Sequence, residues 1–253
     1  MDYNYFRSAH DEDDRDFPPS SPGASSPVPA KREEQWRMEL AQLLRRLQAH
    51  AILVAPGAER RLLAYVKSVA EHAAPADLVS LKDLPFLVTK HVAASLGPLL
   101  LVSASESATW IDAGTGGGLP GMVLKLARPE LAITLLDSSH KKTAFLERFA
   151  RQQSLDGPEI ICQRMEAPLR SAIGGEPAHY DVVVMRAVAA LEKSLPWATA
   201  LTRSGGRFLT FKGPHWEREL QAASARMEAG GWRFAGMQQI PWAQPKLLCF
   251  IKS

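Results

Sequence analysis

The sequence predicts a doubly wound α/β protein, and three observations carry that expectation. Short apolar runs alternate with amphipathic helical patterns through the second half of the chain. The first of those runs opens into a cluster of glycines. The last two are joined by a Pro241/Pro245 turn with no room for a helix. Apolar strands alternating with helices describe a parallel sheet covered on both faces, and a closing hairpin adds antiparallel strands at one side.

In chain order, Asp2 to Asp16 holds six acids against two arginines, and Phe17 to Ala30 holds five prolines and four serines in fourteen positions. Such a segment cannot bury enough apolar surface to offset its ordering entropy, so residues 1–30 are expected to form a disordered tail. From Lys31, Trp36, Leu40, Leu43, Leu44 and Leu47 recur at helical steps. A second helix follows Pro56-Gly57, with Leu62, Leu63, Val66 and Val69. A third is expected over Pro85 to Leu96, stopped by Gly97-Pro98. Residues 31–105 thus read as a helical front section, and 106–253 as the sheet.

Within 106–253, strands are expected at Thr109–Ala113, Leu131–Leu136, Glu159–Cys162, Tyr180–Met185 and Arg207–Phe211. Helical patterns at Leu119–Ala127, Lys141–Gln153 and Leu191–Leu201 separate several of them. Trp232–Gln239 and Leu247–Lys252 form the hairpin, which brings the sheet to seven strands.

The 253 residues are 46% apolar and 23% charged, enough to bury a sizeable core. No stretch approaches the roughly 18 apolar residues of a spanning helix, and the N-terminus has no secretory pattern. The two cysteines are too few for a disulfide scaffold or a cysteine metal site, and a reducing cytoplasm is the expected compartment. The net charge of +3 conceals −4 in the first sixteen residues and +7 in the remainder. A basic body suits a polyanionic partner.

In a doubly wound sheet the ligand crevice lies beyond the carboxyl ends of the central strands. The first strand ends in Asp112-Ala113-Gly114-Thr115-Gly116-Gly117-Gly118-Leu119-Pro120-Gly121, where glycines allow a tight turn and direct approach of a ligand to the backbone. No Gly-Lys-Ser/Thr follows, so this is not a P-loop. Asp137, twenty-one residues after Gly116, is placed to accept from both hydroxyls of a ribose. Asp137 or Ser138 could equally cap the next helix. Met165 and Glu166 could flank an adenine, one by packing and one by a polar contact. Arg186 ends the fourth strand, where an unpaired cation would be costly away from solvent, and Lys212 ends the fifth. His91, His140, His179 and His215 are scattered and read as structural or solvated. No metal-ligand spacing and no nucleophile elbow is present.

The string Ile111 to Gly121, with its Leu-Pro-Gly ending, resembles the signature of the bacterial guanine-N7 methyltransferases of small-subunit ribosomal RNA, the glucose-inhibited division protein B family. Leu136-Asp137-Ser138 with Lys141-Lys142 and Phe145-Leu146 is similar to its second motif. Arg164 and Glu166, Asp181 to Ala187, Gly205-Gly206-Arg207 and Lys212-Gly213 match in order, and Leu78-Val79-Ser80 through Lys90-His91 resembles its front helices. The likeness spans about residues 35–252. It implies a class I methyltransferase sheet using S-adenosyl-L-methionine, with ribosomal RNA or the small ribosomal subunit as partner, acting as a monomer. It also implies that Gly114, Gly116 and Leu119 line the cofactor pocket. Asp137 and Ser138 would hold the ribose, and Met165 and Glu166 would border the adenine. Arg186 would lie near the methionine end or the target base and, with Lys212, would orient base or phosphates at the reaction centre. The family usually has Asp in place of Ala94 and Arg in place of Lys246. A small-molecule methyltransferase, a nicotinamide-dependent oxidoreductase and a non-catalytic cofactor- or RNA-binding relative are the competing readings.

Overall fold

The computed structural model describes residues 28–102, 108–169 and 178–253. All but the last three residues of the expected tail 1–30 lie outside these.

The front section begins with α1 (Ala30–Ala49), whose Trp36, Leu40, Leu43 and Leu47 form one buried stripe. Lys67 of α2 (Ala58–Ala76) donates to Glu33 of α1 at 2.6 Å. This pair is half-exposed and holds register more than it stabilises. The expected third helix is not one α-helix. It resolves into a 3-10 segment Leu81–Phe86, a π segment Leu87–Val92, α3 (Ala93–Ser95) and a second 3-10 turn Gly97–Leu100. Pro85 has no N–H to close an α-helical bond, and Ser80 accepts from Lys82 N at 3.2 Å, which starts the tighter turn four residues earlier than expected.

The strands are β1 (Thr109–Ala113), β2 (Ala132–Asp137), β3 (Glu159–Cys162), β4 (Tyr180–Arg186), β5 (Thr202–Lys212), β6 (Trp232–Gln239) and β7 (Lys246–Lys252). They make one seven-stranded sheet in the order β3-β2-β1-β4-β5-β7-β6. The first five pair in parallel, while β7 pairs antiparallel with both β5 and β6. The hairpin therefore inserts its second strand beside β5. β5 starts at Thr202, earlier than the apolar run, because Arg203 to Gly206 extends it past an irregularity opposite Tyr180/Val182.

Alternation along the strands feeds two cores. Trp110, Val182, Val184 and Leu209 face one side with α1 and α2, joined by α4 (Gly121–Ala127) and α5 (His140–Gln152). Ile111, Val183, Met185 and Phe208 face the other with α6 (Leu191–Leu201). Two short helices, α7 (Trp216–Ala222) and α8 (Ser224–Ala229), cover the same side. Neither has a fully buried residue, and their weak apolar signal left them out of the sequence reading.

The front helices share a single apolar cluster with β1 and β4. α4 and α5 carry the chain outward from β1 to β3 on one face, and α6 carries it outward from β4 to β5 on the other. The direction of winding thus reverses between β1 and β4, whose carboxyl ends part there.

Candidate functional site

The loop after β1 is held from three directions. From β2, the Leu136 carbonyl accepts from Gly114 N at 2.8 Å and Thr115 N at 2.9 Å, while Asp137 Oδ2 accepts from Gly116 N at 2.8 Å. From below, Asp112 Oδ2 accepts from Thr115 Oγ1 at 2.6 Å and from Gly121 N at 2.7 Å. From α2, the buried Tyr65 hydroxyl donates to the Gly117 carbonyl at 2.7 Å. Gly121 must be glycine on spatial grounds. A Cβ there would lie 2.2 Å from Leu135 Cδ2 and 2.8 Å from Asp112.

Burial pushes the Asp112 carboxyl up to about 6, against the lowering effect of the Thr115 and Gly121 bonds. Its Oδ1 has no hydrogen-bond partner among the described residues. Burial also raises the Tyr65 phenol, so that it stays a neutral donor. Asp137 Oδ1 accepts from Ser139 N at 2.9 Å in a local turn at the start of α5; Ser139 is the capping position and makes no side-chain cap bond. Neither Asp137 nor Ser138 is the cap that the sequence suggests: the capping position of α5 falls two residues after Asp137, so the Asp137 carboxylate reaches the N–H of Ser139 and none in the first helical turn.

Above this loop lies a cavity of about 460 Å³. Gly114, Gly116, Leu119, Asp137 and Ser138 line it from the β1 and β2 ends. Met165 and Glu166 line it from the segment after β3, and Arg186 from the end of β4. Lys212 is not among the lining residues. Its Nζ donates to the Ala189 carbonyl at 3.0 Å and pairs with Glu219 at 2.8 Å, tying the end of β5 to α7. The expectation that Lys212 meets substrate has no geometric counterpart here, because both partners hold it away from the cavity.

The front section adds Leu78, Val79 and His91 to the lining, and none of the three is among the site residues expected from the sequence. His91, expected to be structural or solvated, lines the cavity and touches Arg186. Its signal is positional only: it lies within the helical run expected from Pro85 to Leu96, just ahead of Gly97-Pro98. Tyr65 and Asp112 support the loop from beneath and were likewise not singled out. A buried acid ending β1 and an aromatic hydroxyl on an otherwise apolar helix face were the available clues.

The cavity fits a nucleoside-containing cofactor. Its volume is within the roughly 300–1,000 Å³ of small-molecule sites. A Cβ at Gly116 would meet nothing within 4 Å, so this glycine turns its open side to the cavity it lines. A carboxylate offers about four acceptor positions, and Gly116 and Ser139 occupy two on Asp137, which leaves two for a ribose diol.

The sheet order, the antiparallel seventh strand and the cavity at the winding reversal define a class I methyltransferase fold. A solved chain from Pyrococcus horikoshii shares this fold with a TM-score of 0.50 at 12% identity, over 64% of each chain. Residues 58–241 match the family model of rRNA small subunit methyltransferase G. The chain is 38% identical over 168 residues to the ribosomal RNA small subunit methyltransferase G of Rhodopseudomonas palustris, covering 66% of this chain and 70% of that protein. It is 33% identical over 195 residues to the protein of the same name from Symbiobacterium thermophilum, covering 73% and 76%. The chain belongs to the rRNA small subunit methyltransferase G family.

Proposed function

We propose that the chain transfers a methyl group from S-adenosyl-L-methionine to N7 of a guanine in small-subunit ribosomal RNA. The observation that carries this reading is the Asp137 carboxylate, which keeps two acceptor positions beside Gly116 on the wall of the cavity. The cofactor, when bound, supplies an electrophilic methyl group on a sulfonium.

The chain's own residues bind and orient. Gly114 and Gly116 bring backbone close to the ligand, Asp137 and Ser138 receive the ribose, and Met165 and Glu166 border the base. Guanine N7 already holds a lone pair, so no side chain has to remove a proton before attack. The acceleration then comes chiefly from alignment, which can supply on the order of 7–11 kcal/mol. Arg186 is the cation that meets the reacting end. Lys212 acts at one remove, by fixing the Ala189 carbonyl in the loop that follows Arg186.

Lys142 and Arg164 line the same cavity and offer cations to the phosphates that flank the target base. One chain carries all of these groups, which supports action as a monomer. No helix among the described residues is long and apolar enough to cross a membrane, and a cytoplasmic site of action fits the ribosomal substrate.

Two measurements test the assignment. S-adenosyl-L-methionine should raise the unfolding temperature, while a nicotinamide dinucleotide should not. Binding of small-subunit RNA should weaken with salt, its logarithm falling by roughly 0.7 per phosphate contacted for each unit of log salt. Protection by the nicotinamide cofactor instead, or RNA binding indifferent to salt, would contradict it.

A further inference from the structure

Arg186 and His91 meet where the last residue of β4 faces the π segment Leu87–Val92. An arginine has five N–H donors and accepts nothing. Nη1 donates to the His91 carbonyl at 3.1 Å and to Ser95 Oγ at 3.1 Å. Nη2 lies 2.9 Å from His91 Nδ1. Ser95 Oγ in turn donates to the same His91 carbonyl at 2.7 Å. The guanidinium can only donate, so His91 Nδ1 is the acceptor and the ring proton resides on Nε2. That nitrogen is 3.6 Å from Asp83 Oδ2. The guanidinium carbon sits 5.8 Å from the centroid of the Phe211 ring, which limits motion out of its plane.

Three of the five donors are thereby taken on one side of the guanidinium. The remaining two, on Nε and Nη2, have no protein acceptor among the described residues, and both Arg186 and His91 line the cavity. We propose that His91 is a positioning residue: it clamps one edge of Arg186 so that the other edge is presented, already oriented, to an oxygen acceptor of the molecule bound in the cavity. This rests on the function proposed above and extends the site to the front helical section. It also explains why that section is packed against the carboxyl end of β4. Burial, and then the Arg186 charge, lower His91 to about 4, so its Nδ1 stays an acceptor throughout the neutral range.

The test compares His91→Asn, whose side-chain oxygen can stand near the Nδ1 position, with His91→Leu, which fills the space without an acceptor. Each is made in the natural chain and with Arg186→Met, and S-adenosyl-L-methionine affinity is read by calorimetry. His91→Leu should weaken binding about 10- to 150-fold, and His91→Asn less than about threefold. With Arg186→Met already present, His91→Leu should add less than about threefold, because its route of action is gone. Ring nitrogen-15 spectra of the cofactor-free protein should show His91 protonated on Nε2, and that preference should weaken in Arg186→Met, which has no donor for Nδ1. Equal losses with and without Arg186, an Asn variant as weak as the Leu variant, or a natural chain protonated on Nδ1 would each overturn the clamp. If His91→Leu does not fold, the Asn variant and the spectra decide. If the natural chain binds no S-adenosyl-L-methionine, the proposed function fails, while the spectra still report on the clamp.

Discussion

Gly116 and Asp137 stand twenty-one residues apart in sequence, and the backbone N–H of one donates to the carboxylate of the other at 2.8 Å. The end of the second strand thus fixes the conformation of the loop that follows the first. One carboxylate serves both the shape of the cradle and, in the proposed function, the ribose placed in it.

Removing that carboxylate should therefore cost more than a ligand contact. Asp137→Ala is expected to lower S-adenosyl-L-methionine affinity by about 1.5–3 kcal/mol, roughly 10- to 150-fold, in a chain that still folds. Asp137→Asn keeps an acceptor for Gly116 and should lose less. Calorimetry on both variants checks the order, and an unchanged affinity for Asp137→Ala would remove the residue from the site.

The two ends of the glycine loop should respond differently to one methyl group. At Gly121 the added Cβ would meet Leu135 and Asp112 well inside contact distance. Gly121→Ala should cost about 1–3 kcal/mol or more in stability, measured by urea unfolding. At Gly116 the space is open but φ is +57°, so Gly116→Ala should cost about 1–2 kcal/mol and place its methyl in the cavity. Its affinity for S-adenosyl-L-methionine should fall even though its fold survives. An unchanged affinity in Gly116→Ala, or a Gly121→Ala chain as stable as the natural one, would contradict this.

Asp112 gives the fold a pH dependence of known sign. Its folded value, about 6, lies above the 3.8 of an ordinary aspartate, so between these values the folded state holds the extra proton. The burden of the buried charge is absent below 3.8 and grows as pH rises through 6, to on the order of 3 kcal/mol. Asp112→Asn should therefore gain stability over the natural chain as pH goes from 5 to 8. His91 works in the opposite direction, since its lowered value makes stability rise with pH between about 4 and 6.5, but it is common to both chains and cancels in the difference. Urea unfolding at the two pH values supplies the test, and a gap that fails to widen at pH 8 contradicts it.

Lys212 separates support from chemistry. Its ammonium is almost wholly buried against Ala189 and Glu219, while the Glu219 side chain stays 35% exposed and can rehydrate once its partner is lost. Lys212→Met should lower stability by about 1–3 kcal/mol and leave S-adenosyl-L-methionine affinity close to that of the natural chain. A loss of affinity without a loss of stability would place Lys212 in the cavity after all.

The sheet and its cradle were legible because their signals are local. The runs at Trp110–Ile111 and Val182–Met185 are apolar on both faces, as buried parallel strands must be, and Gly114 to Gly121 can be read as a turn without any neighbour. Asp137 was legible by its place at a strand end. What escaped depended on distant segments meeting. Nothing near Arg186 in the sequence announces His91, and nothing near Lys212 announces Glu219, which lies on a helix with little apolar periodicity. The third front helix differs in kind from the expectation, since Pro85 lies inside a 3-10 segment that leads into a π segment and does not start an α-helix. Tyr65 sits among apolar residues of α2, and only the fold brings its hydroxyl to Gly117.

Methyl transfer itself is the decisive measurement. Ribosomal RNA, or small subunits, from cells lacking this protein would be incubated with the purified chain and isotopically methyl-labelled S-adenosyl-L-methionine, then digested to nucleosides and resolved by mass. The account predicts label in 7-methylguanosine from small-subunit RNA, sharply reduced with Asp137→Ala and with Arg186→Ala. Label in another nucleoside, or none in RNA from a chain that binds the cofactor, would contradict it.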